Sequence, residues 1–96
     1  MKTVVGLCKE RHNIPVDEYI FPRDYFEEEG SIFNWEYIDK QIHQVLAGTD
    51  EVELYVTGLT TALTCVINWC YRNNVRLTLC HYNRANGGYV RQEMLR

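Results

Sequence analysis

No stretch of this sequence approaches the roughly 20 consecutive apolar residues of a membrane-spanning helix. The start, Met1 to Lys9, has too short an apolar run for a secretory signal. Excess positive charge is missing as well. Ten Lys and Arg stand against 13 Asp and Glu, for a net charge of −3 and a pI near 5.5. That balance argues against a long nucleic acid held broadly through its phosphates and leaves room only for a local basic pocket. Neither Cys-x-x-Cys nor His-x-x-x-His occurs, so the common zinc signatures are absent. Gly-x-x-x-x-Gly-Lys-Ser/Thr and Gly-x-Gly-x-x-Gly are absent too, and with them the case for ATP hydrolysis or dinucleotide redox chemistry. There is no internal repeat and no low-complexity tract, and no cofactor is indicated.

What is present is the composition of an ordinary globule, 46% hydrophobic and 24% charged. A chain of 96 residues is expected to form one domain that buries roughly 60–65% of its unfolded surface. Small α/β proteins with an uncovered sheet edge or face often assemble, so a homo-oligomer is expected. The four cysteines, Cys8, Cys65, Cys70 and Cys80, lie in or beside apolar segments rather than at framework spacing. With no export signal, they are expected to be reduced, in the cytoplasm of a bacterial cell.

The chain divides into two unequal halves. Thr3 to Cys8 reads as a strand, followed by the polar run Lys9-Glu10-Arg11-His12-Asn13. Pro15 excludes helix at Ile14, and Pro22 stops a brief extended run, Tyr19-Ile20-Phe21. Residues 9–33 are thus an irregular excursion, expected to act as a lid. Their aromatics Tyr19, Phe21, Tyr25, Phe26 and Phe33 are expected to pack on a sheet face or a neighbouring subunit. From Asn34 the pattern turns helical, with Trp35, Ile38, Ile42, Val45 and Leu46 on one stripe, Asn34 as N-cap and Gly48 as the stop. His43 falls on the polar side. Val52 to Val56 is β-prone and passes through Thr57-Gly58 into a second, more apolar helix, Leu59 to Arg72, expected to be buried on several sides. Asn73-Asn74 ends it. Val75 to Tyr82 alternates as a strand, residues 83–88 form a turn, and Tyr89 to Met94 return antiparallel. Val52–Tyr82 is then a right-handed parallel βαβ unit.

The strand–turn–helix at 52–63 carries the strongest functional signal. The first N–H groups of a helix lack internal partners and sit at the positive end of its dipole, so they attract phosphate or carboxylate. In open α/β sheets the ligand crevice lies at the carboxyl ends of the strands. Thr57, Gly58, Leu59, Thr60 and Thr61 are therefore candidate ligand-binding residues, although Thr and Gly at such a junction are also ordinary capping chemistry. Two further segments reach the same edge. His81-Tyr82-Asn83-Arg84 ends the next strand: Arg84 can clamp phosphate, Tyr82 can stack on a base and His81 can donate to phosphate or ribose. Arg11 and His12 follow the first strand, and Gln92 comes from the hairpin. The bland alternative is a set of polar strand ends and an exposed hairpin Arg. If the ligand is turned over, His12 and His81 are the candidate acid and base. Zinc at Cys8, Cys80 and His81 and a nucleophilic Cys8 are poorly supported.

The runs Leu54–Leu63, Leu77–Arg84 and Gly88–Gln92 resemble those of small bacterial and phage proteins. More loosely, they resemble the Rossmann-like sensor domains of CRISPR and related defence systems, the CARF domains. The resemblance covers the C-terminal half. It implies a small Rossmann-like α/β domain with a mostly parallel sheet, two helices and a C-terminal β-hairpin, binding a cyclic nucleotide. With no effector domain in these residues, the expectation is a phage anti-defence sponge that sequesters a signalling nucleotide without turnover. The alternatives are a metal-independent phosphodiesterase or ring nuclease, and a protein-interaction inhibitor. The inhibitor would use Tyr25, Phe26 and the acidic run Asp24, Glu27, Glu28 and Glu29 as its contact surface.

Overall fold

Alternating apolar residues on three strands and an apolar stripe on each of two helices must be buried together, and a two-layer α/β arrangement does this. The computed structural model describes residues 1–9, 14–22, 25–26 and 31–94. The elements are β1 (Lys2–Cys8), β2 (Tyr19–Phe21), a 3-10 turn (Ser31–Phe33), α1 (Trp35–Leu46), β3 (Glu51–Tyr55), α2 (Thr60–Arg72), β4 (Arg76–Asn83) and β5 (Gly88–Glu93). The strands form one sheet in the order β2-β1-β3-β4-β5; the first four are mutually parallel and β5 is antiparallel to β4.

Register divides the sheet into two unlike faces. Val5, Val52, Leu54, Leu77 and Leu79 share one face and are all buried. The steps from β2 to β3 and from β3 to β4 run in the same direction across the sheet, so right-handed crossovers place α1 and α2 on that same face, where they touch each other. Ile38, Ile42 and Leu46 of α1 and Ala62, Val66, Trp69 and Cys70 of α2 complete the core. Each fully buried Val, Leu or Ile here contributes about 1.5–3 kcal/mol. The apolar girth of α2 is only partly used: Leu63, Cys65 and Ile67 are half-buried, because α2 has the sheet below and α1 beside it.

Caps mark the ends of both helices. The Asn34 side chain accepts the Tyr37 N–H at 3.2 Å to start α1, and Gly48 follows its end with φ of +85°. Asn74, at φ +57°, carries the chain out of α2 in the left-handed conformation that Asn tolerates.

Part of the 9–33 excursion belongs to the body of the sheet rather than to a lid. Tyr19–Phe21 is the edge strand β2, with Ile20 and Phe21 fully buried. Its outward-facing Ile20 carbonyl accepts the Gln41 side-chain N–H of α1 at 2.8 Å, which blunts an otherwise bare edge. Phe21 meets Tyr25 and Phe26 at 5.2 and 5.0 Å between ring centroids, and Tyr25 stacks on Tyr37 at 4.5 Å. Burial first, and the Tyr37 hydrogen bond second, raise the Tyr25 phenol well above the usual tyrosine value. Tyr25 and Phe26 therefore pack on the core, while Phe33, Trp35 and Tyr37 face solvent. Residues 10–13, 23–24 and 27–30 of the expected lid lie outside the described residues, and with them the acidic run Asp24, Glu27, Glu28 and Glu29. No helix among the described residues is long and apolar enough to cross a membrane.

Candidate functional site

The strand order creates a switch point between β1 and β3. The chain leaves β1 toward β2 on one side and returns past it to β3 on the other, so the two carboxyl ends part there. Thr57, just beyond β3, spans the gap. Its hydroxyl accepts the Cys8 N–H at 3.0 Å and donates to the Cys8 carbonyl at 2.5 Å. Val56 extends the pairing on the other side by donating to the Cys80 carbonyl at 3.0 Å. Thr57 is thus a clamp between strand ends, with its hydroxyl engaged in both directions.

Gly58 follows with φ of +69°, a conformation that costs L side chains about 1–2 kcal/mol. The backbone path alone requires glycine here, whether or not a ligand approaches. Leu59 is the N-cap of α2 and supplies no side-chain hydrogen bond to it. The first intrahelical bond from this end is donated by the Leu63 N–H to the Leu59 carbonyl, at 3.1 Å. Thr60 is exposed. The Thr61 hydroxyl oxygen, one residue further, is shielded from solvent and has no hydrogen-bond partner among the described residues. An unmet buried hydroxyl costs about 1–3 kcal/mol. Among the described residues, the first turn of α2 is therefore capped by no side chain and carries one unused polar group.

The remaining sequence candidates separate. His81 lies on the helix-side face of β4, where its Nε2 is 2.8 Å from Oε1 of Gln92. Tyr82, the next residue, points to the opposite face and touches Tyr89 there. The same alternation sets Cys80 and His81 on opposite faces, so the zinc trio of Cys8, Cys80 and His81 does not converge. Among the described residues no group of three His, Cys, Asp or Glu is placed to hold a metal. All four cysteines are thiols. Burial first, and the nearby Glu53 charge second, push the Cys80 thiol up, which keeps it protonated and unreactive at neutral pH. Arg84 is exposed in the β4–β5 turn. Arg11 and His12 lie outside the described residues.

Two features of the molecule are absent from the sequence reading. One is the open face of the sheet. Glu53, 9% exposed, is paired there with Lys2, at 3.2 Å, and with Arg91. Burial pushes the Glu53 carboxyl up, but the Lys2 hydrogen bond and the charges of Arg91 and Lys2 outweigh it and hold the group below the ordinary carboxylate range. Tyr55, Tyr82 and Tyr89 cluster beyond it. The other is a groove of about 550 Å³ on the outer side of the helices, lined by Trp35, Glu36, Asp39, Cys65 and Arg72, in which Arg72 pairs with Asp39 at 2.6 Å. The strand periodicity held the signal for the first feature. Recognising it required knowing which strands are neighbours and in what register.

No family model, curated protein or solved structure matches the chain.

Proposed function

We propose that the protein binds a phosphate-bearing nucleotide at the carboxyl edge of its parallel sheet and holds it without turning it over. The observation that carries this reading is the first turn of α2. It opens at the carboxyl end of β3 beside the switch point and, among the described residues, finds no side-chain cap and no partner for the Thr61 hydroxyl. Backbone N–H groups there and the Thr60 and Thr61 hydroxyls form the anion site in this reading, with Arg84, exposed in the hairpin turn, as the candidate phosphate clamp. The Thr57 clamp and the positive φ of Gly58 set the turn in place rather than touch the ligand. His81, committed to Gln92, is a positioning group in this reading and not an acid or base.

The biological reading is sequestration of a cyclic signalling nucleotide by a Rossmann-like homo-oligomer in the bacterial cytoplasm, as a phage anti-defence sponge. Its support is the resemblance of the C-terminal half to CARF-type domains together with this turn. The test mixes the purified protein with cyclic dinucleotides, cyclic oligoadenylates and cyclic ADP-ribose isomers, and measures free nucleotide by chromatography before and after heat denaturation. Depletion with intact recovery on heating is expected. A new product would assign a phosphodiesterase or ring nuclease instead, and no depletion across the panel would end the nucleotide reading. Thr61→Val is expected to weaken binding while preserving the fold, because it replaces an unpartnered hydroxyl with a methyl group.

A further inference from the structure

The sheet face opposite the helices carries an aromatic patch at its carboxyl end. Tyr82 and Tyr89 are direct partners across β4 and β5, with ring centroids 5.6 Å apart and planes at 64°. Tyr55 of β3 meets Tyr89 at 4.9 Å and 78°. The edge-on Tyr89 ring props the other two, so all three are held in place before any ligand arrives. Cys80, between them in register, is 1% exposed. On the far side, the Tyr19 ring lies against Gly6 of β1, where only the missing side chain leaves room. The Lys9 ammonium stands over that ring at 5.9 Å from its centroid.

The charges on this face are sorted along the strands. Glu51 and Arg76 oppose each other at the amino end. Glu53 comes next, in one row with Glu93 of β5, and these two carboxylates are matched by two cations, Lys2 and Arg91, both paired with Glu53. At the level of Gly6, Tyr55, Cys80 and Arg91, and beyond it at Tyr82 and Tyr89, the described strand residues include no carboxylate. A protein that is acidic overall thus presents, past the row of Glu53 and Glu93, aromatic rings edged by Lys9 and Arg91.

We infer that this patch is a stacking floor for adjacent unpaired nucleobases, and that its ligand class is a short single-stranded oligonucleotide. Every base has a π-face that stacks on tyrosine, and phosphates running past the rings meet Lys9 and Arg91. A second copy of the chain fits less well, since two-fold pairing centred on the patch would set its cations against themselves. The inference does not require the α2 turn to hold phosphate, because that turn leads into the helix layer behind the sheet.

The test is fluorescence anisotropy with labelled hexanucleotides of riboadenosine and ribouridine, with a duplex as control and a cyclic dinucleotide as competitor. Both single strands are expected to bind and the duplex to bind poorly. Displacement by the cyclic dinucleotide would show that a small cyclic ligand supplies the bases, and its failure that a linear strand does. Tyr82 is 57% exposed, so its replacement leaves the core intact. Tyr82→Ala is expected to weaken binding about 5- to 150-fold, the equivalent of one lost base stack. Tyr82→Phe should bind like the unaltered protein, because the ring stacks and the hydroxyl does not. Thr61→Val should leave hexanucleotide binding in place, which separates this face from the α2 turn. Absence of single-strand binding, unchanged binding in Tyr82→Ala, or loss in Thr61→Val alone would overturn the inference. So would a concentration-dependent dimer in sedimentation that Tyr82→Ala abolishes and oligonucleotide does not affect, which would assign the face to a second copy.

Discussion

Gly6→Ala tests how closely the chain packs over β1. A Cβ placed on Gly6 would sit 2.6 and 2.7 Å from two carbons of the Tyr19 ring and 2.8 Å from Cδ1 of Ile14. Carbon atoms in ordinary contact are about 3.5–4.0 Å apart, so the added methyl overlaps both neighbours by about 1 Å. Forcing a methyl group into such a site costs about 1–3 kcal/mol. Alanine recovers about 0.5–1 kcal/mol of that, because glycine in a strand loses more backbone freedom on folding. The expected net loss is about 0.5–2 kcal/mol. In a domain of this size each kcal/mol moves Tm by about 4–8 °C, so thermal unfolding followed by circular dichroism should show a drop of about 2–16 °C. The Tyr19→Ala single variant and the double variant complete the cycle. Without the ring the methyl group should cost at least ~0.5 kcal/mol less, the size of coupling expected between touching residues. Unchanged or increased stability in Gly6→Ala, or the same loss whether or not Tyr19 is present, would refute this reading of the β1–β2 edge.

Other residues make similarly direct predictions. Thr57→Val removes both hydrogen bonds to Cys8 and should cost about 1–3 kcal/mol in urea unfolding, whereas Thr60→Ala, at an exposed and uncapped position, should change stability by less than ~0.5 kcal/mol. Gly58→Ala should cost about 1–2 kcal/mol with no ligand present; unaltered stability would show that the glycine serves only ligand approach. Asn34→Ala should lose about 1 kcal/mol through the missing cap on α1, measurable by the same unfolding assay. Glu53 has a folded pKa below its unfolded value, so its contribution is fully present above the unfolded value near about 4.3 and is lost as pH falls through the folded pKa. Glu53→Gln should flatten the fall in stability below that pH, and an unchanged acid profile would remove Glu53 from the account.

Much of the fold was legible because local signals agreed. Asn34 and Gly48 bracket an apolar stripe of period 3.6, and Asn74 ends α2 in the conformation its type favours. The βαβ unit and the C-terminal hairpin followed from element order. β2 was less visible, because three residues followed by proline are too few to establish a period and its pairing with β1 is long-range. The candidate site was legible as a segment but not as a geometry. Thr57 could be marked as polar at a turn, but its engagement with Cys8 depends on a strand 49 residues away in sequence. His81 and Tyr82 looked like one constellation, and strand alternation sends them to opposite faces.

The sequence by itself determined the helices, the hairpin and which strand residues are apolar, because caps, turn residues and hydrophobic periods act within a few positions of one another. Only the tertiary structure decided which sheet face is left open and where Glu53, Arg91, Tyr55, Tyr82 and Tyr89 meet on it. Those residues come from β3, β4 and β5, and their proximity rests on the hydrogen-bonded register between strands, which no local stretch of sequence encodes.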